Sequence, residues 1–136
     1  MTTTPNRPEL ITDSVEALKN TFRNHASGVS IITLLDSDGK PVGFTATSMT
    51  SLGANPPLAS FNMASGSSTW PSLCKATWVA IHTLGQNNQE LATKMAADHT
   101  QRFLDDDWTF GPKGLPIFKG VTSVLIAGIR EIHSVE

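Results

Sequence analysis

Two runs of small hydroxyl side chains have the residue types and the spacing to bind a ligand. The first covers residues 45–51 (TATSMTS), and the second covers residues 65–69 (SGSST). Short side chains at strand spacing let a planar ligand lie close against the backbone. A helix that starts in the second run would direct free N–H groups and a positive dipole at a phosphate. The pattern favours a cradle for an anion or a cofactor; alternatively, these residues line a solvated strand face and form an ordinary helix cap.

The helix predicted after the second run spans Ser68 to Lys75. Ser67 or Ser68 is expected to be its N-cap, and Pro71 lies in its first turn, where a missing N–H has no cost. Residues 41–71 contain no lysine or arginine. A phosphate bound here would therefore rest on hydroxyl and amide groups, with Lys75 one turn further on as a countercharge.

Strand and turn signals predict the elements that position the two runs. The apolar stretch 28–36 and the extended stretch 40–52 are separated by turn residues, which indicates a hairpin. Mostly adjacent, antiparallel strands without regular βαβ alternation predict a mainly β domain with flanking helices, arranged as a small closed or split barrel. The other predicted elements are a helix over 14–26 capped by Asp13 or Ser14, strands over 58–63, 76–84 and 121–136, a helix over 88–98 capped by Asn87 or Asn88, and a connector over 113–119.

Length and charge narrow the classes of function. A chain of 136 residues is long enough for one domain, and residues 1–12 are expected to be a flexible leader before a domain over 13–136. Ten basic against twelve acidic residues, a net charge of −2, argue against nucleic-acid and membrane partners. Without a signal sequence or a long apolar run, a cytoplasmic location is expected. No glycine motif of the dinucleotide-binding type opens a helix after a strand, which excludes a Rossmann domain.

Other reactive side chains have structural explanations beside the functional ones. His82 falls on a predicted strand and lies either beside the ligand or on the wet face of the sheet. Cys74 is expected to be a small buried hydrophobe inside its helix. The three aspartates at 105–107 are expected to form a solvated capping loop, because consecutive carboxylates cannot all converge on one metal ion. His25 is expected to cap the first helix or lie on the surface.

The order of several motifs resembles the flavin reductase-like proteins, which are FMN-binding split barrels. Because five motifs agree in order and spacing, the resemblance is specific, and it covers most of the chain. The motifs lie at residues 28–33 (GVSIIT), 43–48 (GFTATS), 51–52 (SL) leading to 56–58 (PPL), 61–62 (FN) followed by 67–68 (SS), and then 89–92 (QELA), 102–103 (RF) and Gly120.

This resemblance implies an NAD(P)H:flavin oxidoreductase that binds FMN or FAD and supplies reduced flavin to a partner monooxygenase. NADH or NADPH would bind as a transient hydride donor, and the protein would orient the cofactor without a catalytic acid or a metal. Residues 45–48 would line the isoalloxazine edge, while Asn62, Ser67 and Ser68 would take the ribityl chain and phosphate. The full set of residues expected to bind the cofactor is Thr45, Ala46, Thr47, Ser48, Asn62, Met63, Ala64, Ser67, Ser68, Thr69 and His82.

The chain departs from the family pattern in two places. It ends at Glu136, where relatives continue through a Gly-Asp-His segment near the nicotinamide, so the C-terminal part of the domain is expected to be cut short. Residues 65–68 lack the basic residue that many relatives carry in the phosphate loop, which predicts weaker binding. The alternative function is a flavin-binding split barrel without reductase activity, acting as a carrier, a sensor or a structural dimer. Separately from either function, the apolar strands of the chain predict a homodimer.

Overall fold

The computed structural model describes residues 13–17, 28–64 and 66–133. The predicted leader, most of the predicted first helix with His25, and Ser65 lie outside these residues. Residues 14–17 are helical. The Asp13 carboxylate accepts a hydrogen bond from the Val15 amide at 3.2 Å, and the Asp13 carbonyl accepts one from the Ala17 amide at 2.9 Å. Asp13 is therefore the N-cap of this segment, one of the two caps predicted.

The described part of the chain is mainly β, with helices beside antiparallel sheets. The largest sheet has four strands, in the order 41–46, 30–35, 78–83 and 123–128, and two pairs of strands, 50–54 with 57–60 and 108–110 with 116–118, form two further sheets. Within the described residues, no helix is long and apolar enough to cross a membrane. The elements are β1 (Ser30–Leu35), β2 (Pro41–Ala46), β3 (Thr50–Ala54), β4 (Pro57–Ser60), α1 (Trp70–Lys75), β5 (Trp78–Thr83), α2 (Gln89–Ala96), β6 (Trp108–Phe110), β7 (Pro116–Phe118) and β8 (Ser123–Gly128), with short 3-10 turns at Gln86–Asn88, His99–Gln101 and Pro112–Gly114.

Strands β1 and β2 form the predicted hairpin. They pair in register from Ser30 opposite Ala46 to Leu35 opposite Pro41. The Asp36 carboxylate holds the turn by accepting hydrogen bonds from the amides of residues 38 and 40, each at 2.9 Å. Gly39 supplies the positive φ of 79° that such a turn needs. Because β2 runs away from this turn, residues 47 and 48 follow it at the opposite end of the hairpin.

The core lies on both faces of the four-stranded sheet. Because both faces are covered, β1 is apolar along most of its length instead of alternating with polar residues. One face carries Ile32, Leu34, Phe44, Ala46, Val79 and Ile81, packed with Leu73 of α1. The other face carries Ile31, packed with Leu84, Met95 of α2 and Phe118 of β7.

Several predicted elements differ from those in the structure. The strand predicted over 58–63 is β4, which begins at Pro57 because proline is tolerated as the first residue of a strand. The predicted connector over 113–119 contains β7, which pairs with the unpredicted β6. The last strand is shorter than predicted and ends at Gly128. In each case the strand has only three to six residues, too few for a clear alternating pattern.

Cys74 is exposed, so the prediction of a buried thiol is wrong. Helix α1 has only six residues and buries Leu73 against the sheet. The neighbouring side chain points about 100° around the helix axis, which places Cys74 on the solvent side.

Candidate functional site

A hydrogen-bonded pair joins the two groups of residues predicted to bind the cofactor. Ser48 follows β2, and Asn62 follows β4. The backbone amide of Asn62 donates to Ser48 Oγ at 2.8 Å, and Ser48 Oγ donates to the backbone carbonyl of Asn62 at 3.4 Å. The loop after β2 and the segment that leads to α1 therefore meet on one surface.

The predicted site residues differ in how far solvent and ligands can reach them. Thr45 is half-buried, and its hydroxyl donates to the Ala92 carbonyl of α2 at 3.0 Å. Among the residues that the structure describes, the hydroxyls of Thr47 and Ser68 form no hydrogen bond, so both are free to meet a ligand. The exposed members are Thr47, Asn62, Ala64 and Ser68, the half-buried members are Thr45, Ser48, Met63 and Ser67, and the buried members are Ala46, Thr69 and His82.

The start of α1 differs from the predicted phosphate cradle. The N-cap is Thr69, not Ser67 or Ser68, and its buried side chain makes no capping hydrogen bond. The Ser67 hydroxyl accepts a hydrogen bond from the backbone amide of Thr69 at 3.3 Å. The Ser67 carbonyl accepts one from the backbone amide of Trp70 at 3.1 Å. Pro71 has no N–H. The amides of residues 69 and 70 are therefore already used by Ser67, which leaves fewer backbone donors for a phosphate beside the hydroxyls of Ser67 and Ser68.

His82 lies in the core, where its side chain is fully buried. Its Nδ1 lies 3.1 Å from the Ile31 carbonyl, and its Nε2 accepts from the Phe118 amide at 3.0 Å. Since a carbonyl only accepts and an amide N–H only donates, the ring is neutral with its proton on Nδ1. Burial lowers the pKa of His82 to about 4, against the raising effect of the bond to Ile31. The predicted position of His82 on the wet face of the sheet is wrong, because β7 covers the face of β5 that carries it. Its position beside the ligand stays a prediction.

The acidic run binds a lysine of α2. Lys94 Nζ lies 3.1 Å from an Asp105 oxygen and 2.6 Å from an Asp107 oxygen. Burial alone would lower the pKa of Lys94, but the hydrogen bonds and charges of Asp107 and Asp105 outweigh it and raise the pKa. Asp105 and Asp106 are exposed, as predicted for a solvated loop, but Asp105 and Asp107 pair with Lys94 and do not cap a helix. They hold the loop before β6 against α2.

The donors on this surface fit a flavin. Thr47 and Ser68 offer free hydroxyls, Asn62 offers an exposed side-chain amide, and Ser67 can still donate its hydroxyl proton. Neutral donors match the oxygens and nitrogens along the edge of a flavin ring and the hydroxyls of a ribityl chain. A phosphate would find hydroxyl donors without a guanidinium or an ammonium among them.

Two residues near the site were not given a role from the sequence. Ala92 accepts the Thr45 hydroxyl, and Arg102 donates to the Gly43 carbonyl of β2 at 2.7 Å. Both belong to motifs that carried the resemblance, at residues 89–92 and 102–103. Their place in these motifs is the signal that sequence offers for a role near the site. Only the structure shows that both residues contact β2.

Comparisons with known proteins agree with these observations. The family model of the flavin reductase like domain matches residues 22–136. The NADH:FMN oxidoreductase of Rhodococcus erythropolis is 44% identical over 103 residues, which are 75% of this chain and 53% of that protein. The reductase subunit HsaB of a flavin-dependent monooxygenase from Rhodococcus jostii is 30% identical over 107 residues, 79% of this chain and 54% of that protein.

The solved structures agree on the fold. The flavin reductase domain protein from Arthrobacter sp. FB24 superimposes with a TM-score of 0.76 at 46% identity, covering 89% of this chain and 75% of that one. The predicted fold class, a mainly β split barrel with flanking helices, is confirmed. The chain spans about half the length of the curated relatives it matches.

Proposed function

Because the chain belongs to the flavin reductase-like domain family, we propose that it is an NAD(P)H:flavin oxidoreductase that binds FMN or FAD. The observation that carries the proposal is the Ser48–Asn62 hydrogen bond, which joins the first hydroxyl run to Asn62, five residues before Ser67 of the second run. The 44% identity to a protein named as an NADH:FMN oxidoreductase supports the same reaction.

The protein's part in this reaction is to bind and orient the cofactor. When bound, the flavin supplies the hydride chemistry, with NADH or NADPH as the donor. The Thr47 hydroxyl and the backbone at the end of β2 hold the edge of the isoalloxazine ring. Asn62 holds the ribityl chain, and the hydroxyls of Ser67 and Ser68 hold the phosphate. Met63 and Ala64 lie between these groups in the chain and provide apolar contact.

Steady-state oxidation of NADH and NADPH with added FMN, FAD or riboflavin tests this proposal. We expect flavin-dependent oxidation of at least one nicotinamide, and the flavin with the highest kcat/KM identifies the preferred cofactor. Nicotinamide oxidation that does not depend on flavin, or none at all, would overturn the proposal. A protein that binds FMN but oxidises neither nicotinamide would instead be a carrier, a sensor or a structural dimer.

The reduced flavin is proposed to pass to a partner monooxygenase in the cytoplasm, where reduced nicotinamides are made. The relative from Rhodococcus jostii, named as the reductase subunit of such an enzyme, supports this role. Adding the purified chain to an oxygenase that lacks its reductase should restore substrate oxidation. No restoration, with flavin reduction intact, would remove the partner from the proposal.

The chain is also proposed to form a homodimer. Strand β8 is at the edge of the four-stranded sheet, and residues 124–127, all apolar, are only half-buried. Pairing with a second copy would remove this surface from water. Sedimentation at micromolar concentration with flavin present should give the mass of a dimer, and a monomeric mass would contradict it.

A further inference from the structure

The end of β2 holds one free hydroxyl between two hydrogen-bonded neighbours. Thr47 is exposed, and no described residue bonds its hydroxyl. On one side, Thr45 Oγ1 donates to the Ala92 carbonyl at 3.0 Å. On the other side, Ser48 Oγ accepts the Asn62 amide at 2.8 Å. The backbone at Thr47 is therefore fixed from both sides, and its hydroxyl alone faces outward.

Gly43 of β2 lies against both β1 and the Met95 side chain of α2. A Cβ at Gly43 would lie 2.8 Å from the Ile32 carbonyl oxygen of β1 and 3.0 Å from Met95 Cε of α2, so a side chain here would clash with the β1 backbone. Arg102 adds a second link, since its two terminal nitrogens donate to the Gly43 and Ala97 carbonyls, each at 2.7 Å. β2 is an edge strand, and α2 packs on the face of the sheet that carries Thr45 and Ile31.

We propose that Thr45 is a positioning residue that fixes the end of β2 through α2 and so presents Thr47 to the flavin ring. A threonine hydroxyl carries one proton, and that of Thr45 is donated to Ala92. It has none to give to a flavin, although its sequence position suggested a direct contact. The proposal rests on the proposed function, because it assigns the ligand of Thr47 as a flavin.

The variant Thr45→Val tests the proposal because valine keeps the shape and removes the hydroxyl. FMN and riboflavin should both bind about tenfold more weakly, as expected for one lost hydrogen bond that orders the site. Thr93→Val is the matched control, since the Thr93 hydroxyl also donates to a carbonyl of α2, that of Gln89, at 3.0 Å. It should leave both affinities unchanged, and Thr45→Ser should restore them. Unchanged affinities in Thr45→Val would overturn the proposal.

A double-mutant cycle separates positioning from contact. If Thr45 acts through Thr47, then Thr45→Val should change flavin affinity little once Thr47 has been replaced by valine. Effects that add in the double variant would mean that Thr45 meets the flavin independently, and would overturn the proposal.

Amide hydrogen exchange tests the same link without any flavin. The amides of residues 46–48 should exchange faster in Thr45→Val than in the wild type, and at the wild-type rate in Thr93→Val. Equal exchange in Thr45→Val and the wild type would overturn the positioning role. If the wild type binds no flavin while Thr45→Val accelerates exchange, the proposed function fails and the link between β2 and α2 stands.

Discussion

The two hydroxyl runs are similar in sequence but differ in how the fold uses them. At the end of β2, the hydroxyls of Thr45 and Ser48 bond to distant segments, and Thr47 remains free between them. Before α1, Ser67 bonds to residues two and three positions along the chain, and Ser68 remains free. The first run is fixed by the tertiary structure, whereas the second is a local turn. A hydroxyl-rich sequence therefore predicts a site, but the fold decides which hydroxyl is available.

The largest effect expected from this comparison is a loss of stability at low pH, caused by His82 in the core behind the first run. Thr45, Ile31 and His82 are opposite one another on β2, β1 and β5. The pKa of His82 is about 4 in the folded protein and 6.5 in the unfolded chain. The unfolded state therefore binds the proton first as the pH falls, so stability is complete above pH 6.5 and decreases toward pH 4. The loss should reach about 3 kcal/mol.

Urea denaturation over this pH range measures the loss. Protonation would turn Nε2 into a donor facing the Phe118 amide, which also donates. His82→Gln, which cannot titrate, should lose most of the pH dependence even if it is less stable overall. A wild-type protein whose stability is level from pH 6.5 to 4 would contradict the burial of His82.

A pair of glycine substitutions compares β2, which leads into the first run, with the second run. Gly43→Ala introduces a methyl group 2.8 Å from a backbone oxygen of β1 and should destabilise the fold by about 2 kcal/mol. Gly66→Ala, in the second run, meets no atom within 4 Å and should change stability by less than about 0.5 kcal/mol. Urea midpoints at neutral pH measure both. Equal effects would mean that β2 is no more tightly packed at Gly43 than the second run is at Gly66.

Much of the fold followed from local signals in the sequence. The hairpin turn and the Asp13 cap depend on residues within four positions of each other, and both were predicted. Sequence could not show that His82 is covered, because the covering strand β7 is 34 residues away and only three residues long. It also could not show that the Thr45 hydroxyl is bonded, since its partner is the main chain of α2. Residue types predicted the site region, and long-range packing decided each side chain's role.

The central claim is that the two runs bind opposite ends of one flavin, the ring at Thr47 and the phosphate at Ser68. Measuring FMN and riboflavin affinities of Thr47→Val and Ser68→Ala by fluorescence titration tests it most directly, with Ser37→Ala in the distant hairpin turn as the control. Thr47→Val should weaken both ligands by about tenfold, whereas Ser68→Ala should weaken FMN by about tenfold and leave riboflavin unchanged. Equal losses for FMN and riboflavin in Ser68→Ala, or none for either ligand in Thr47→Val, would contradict the account.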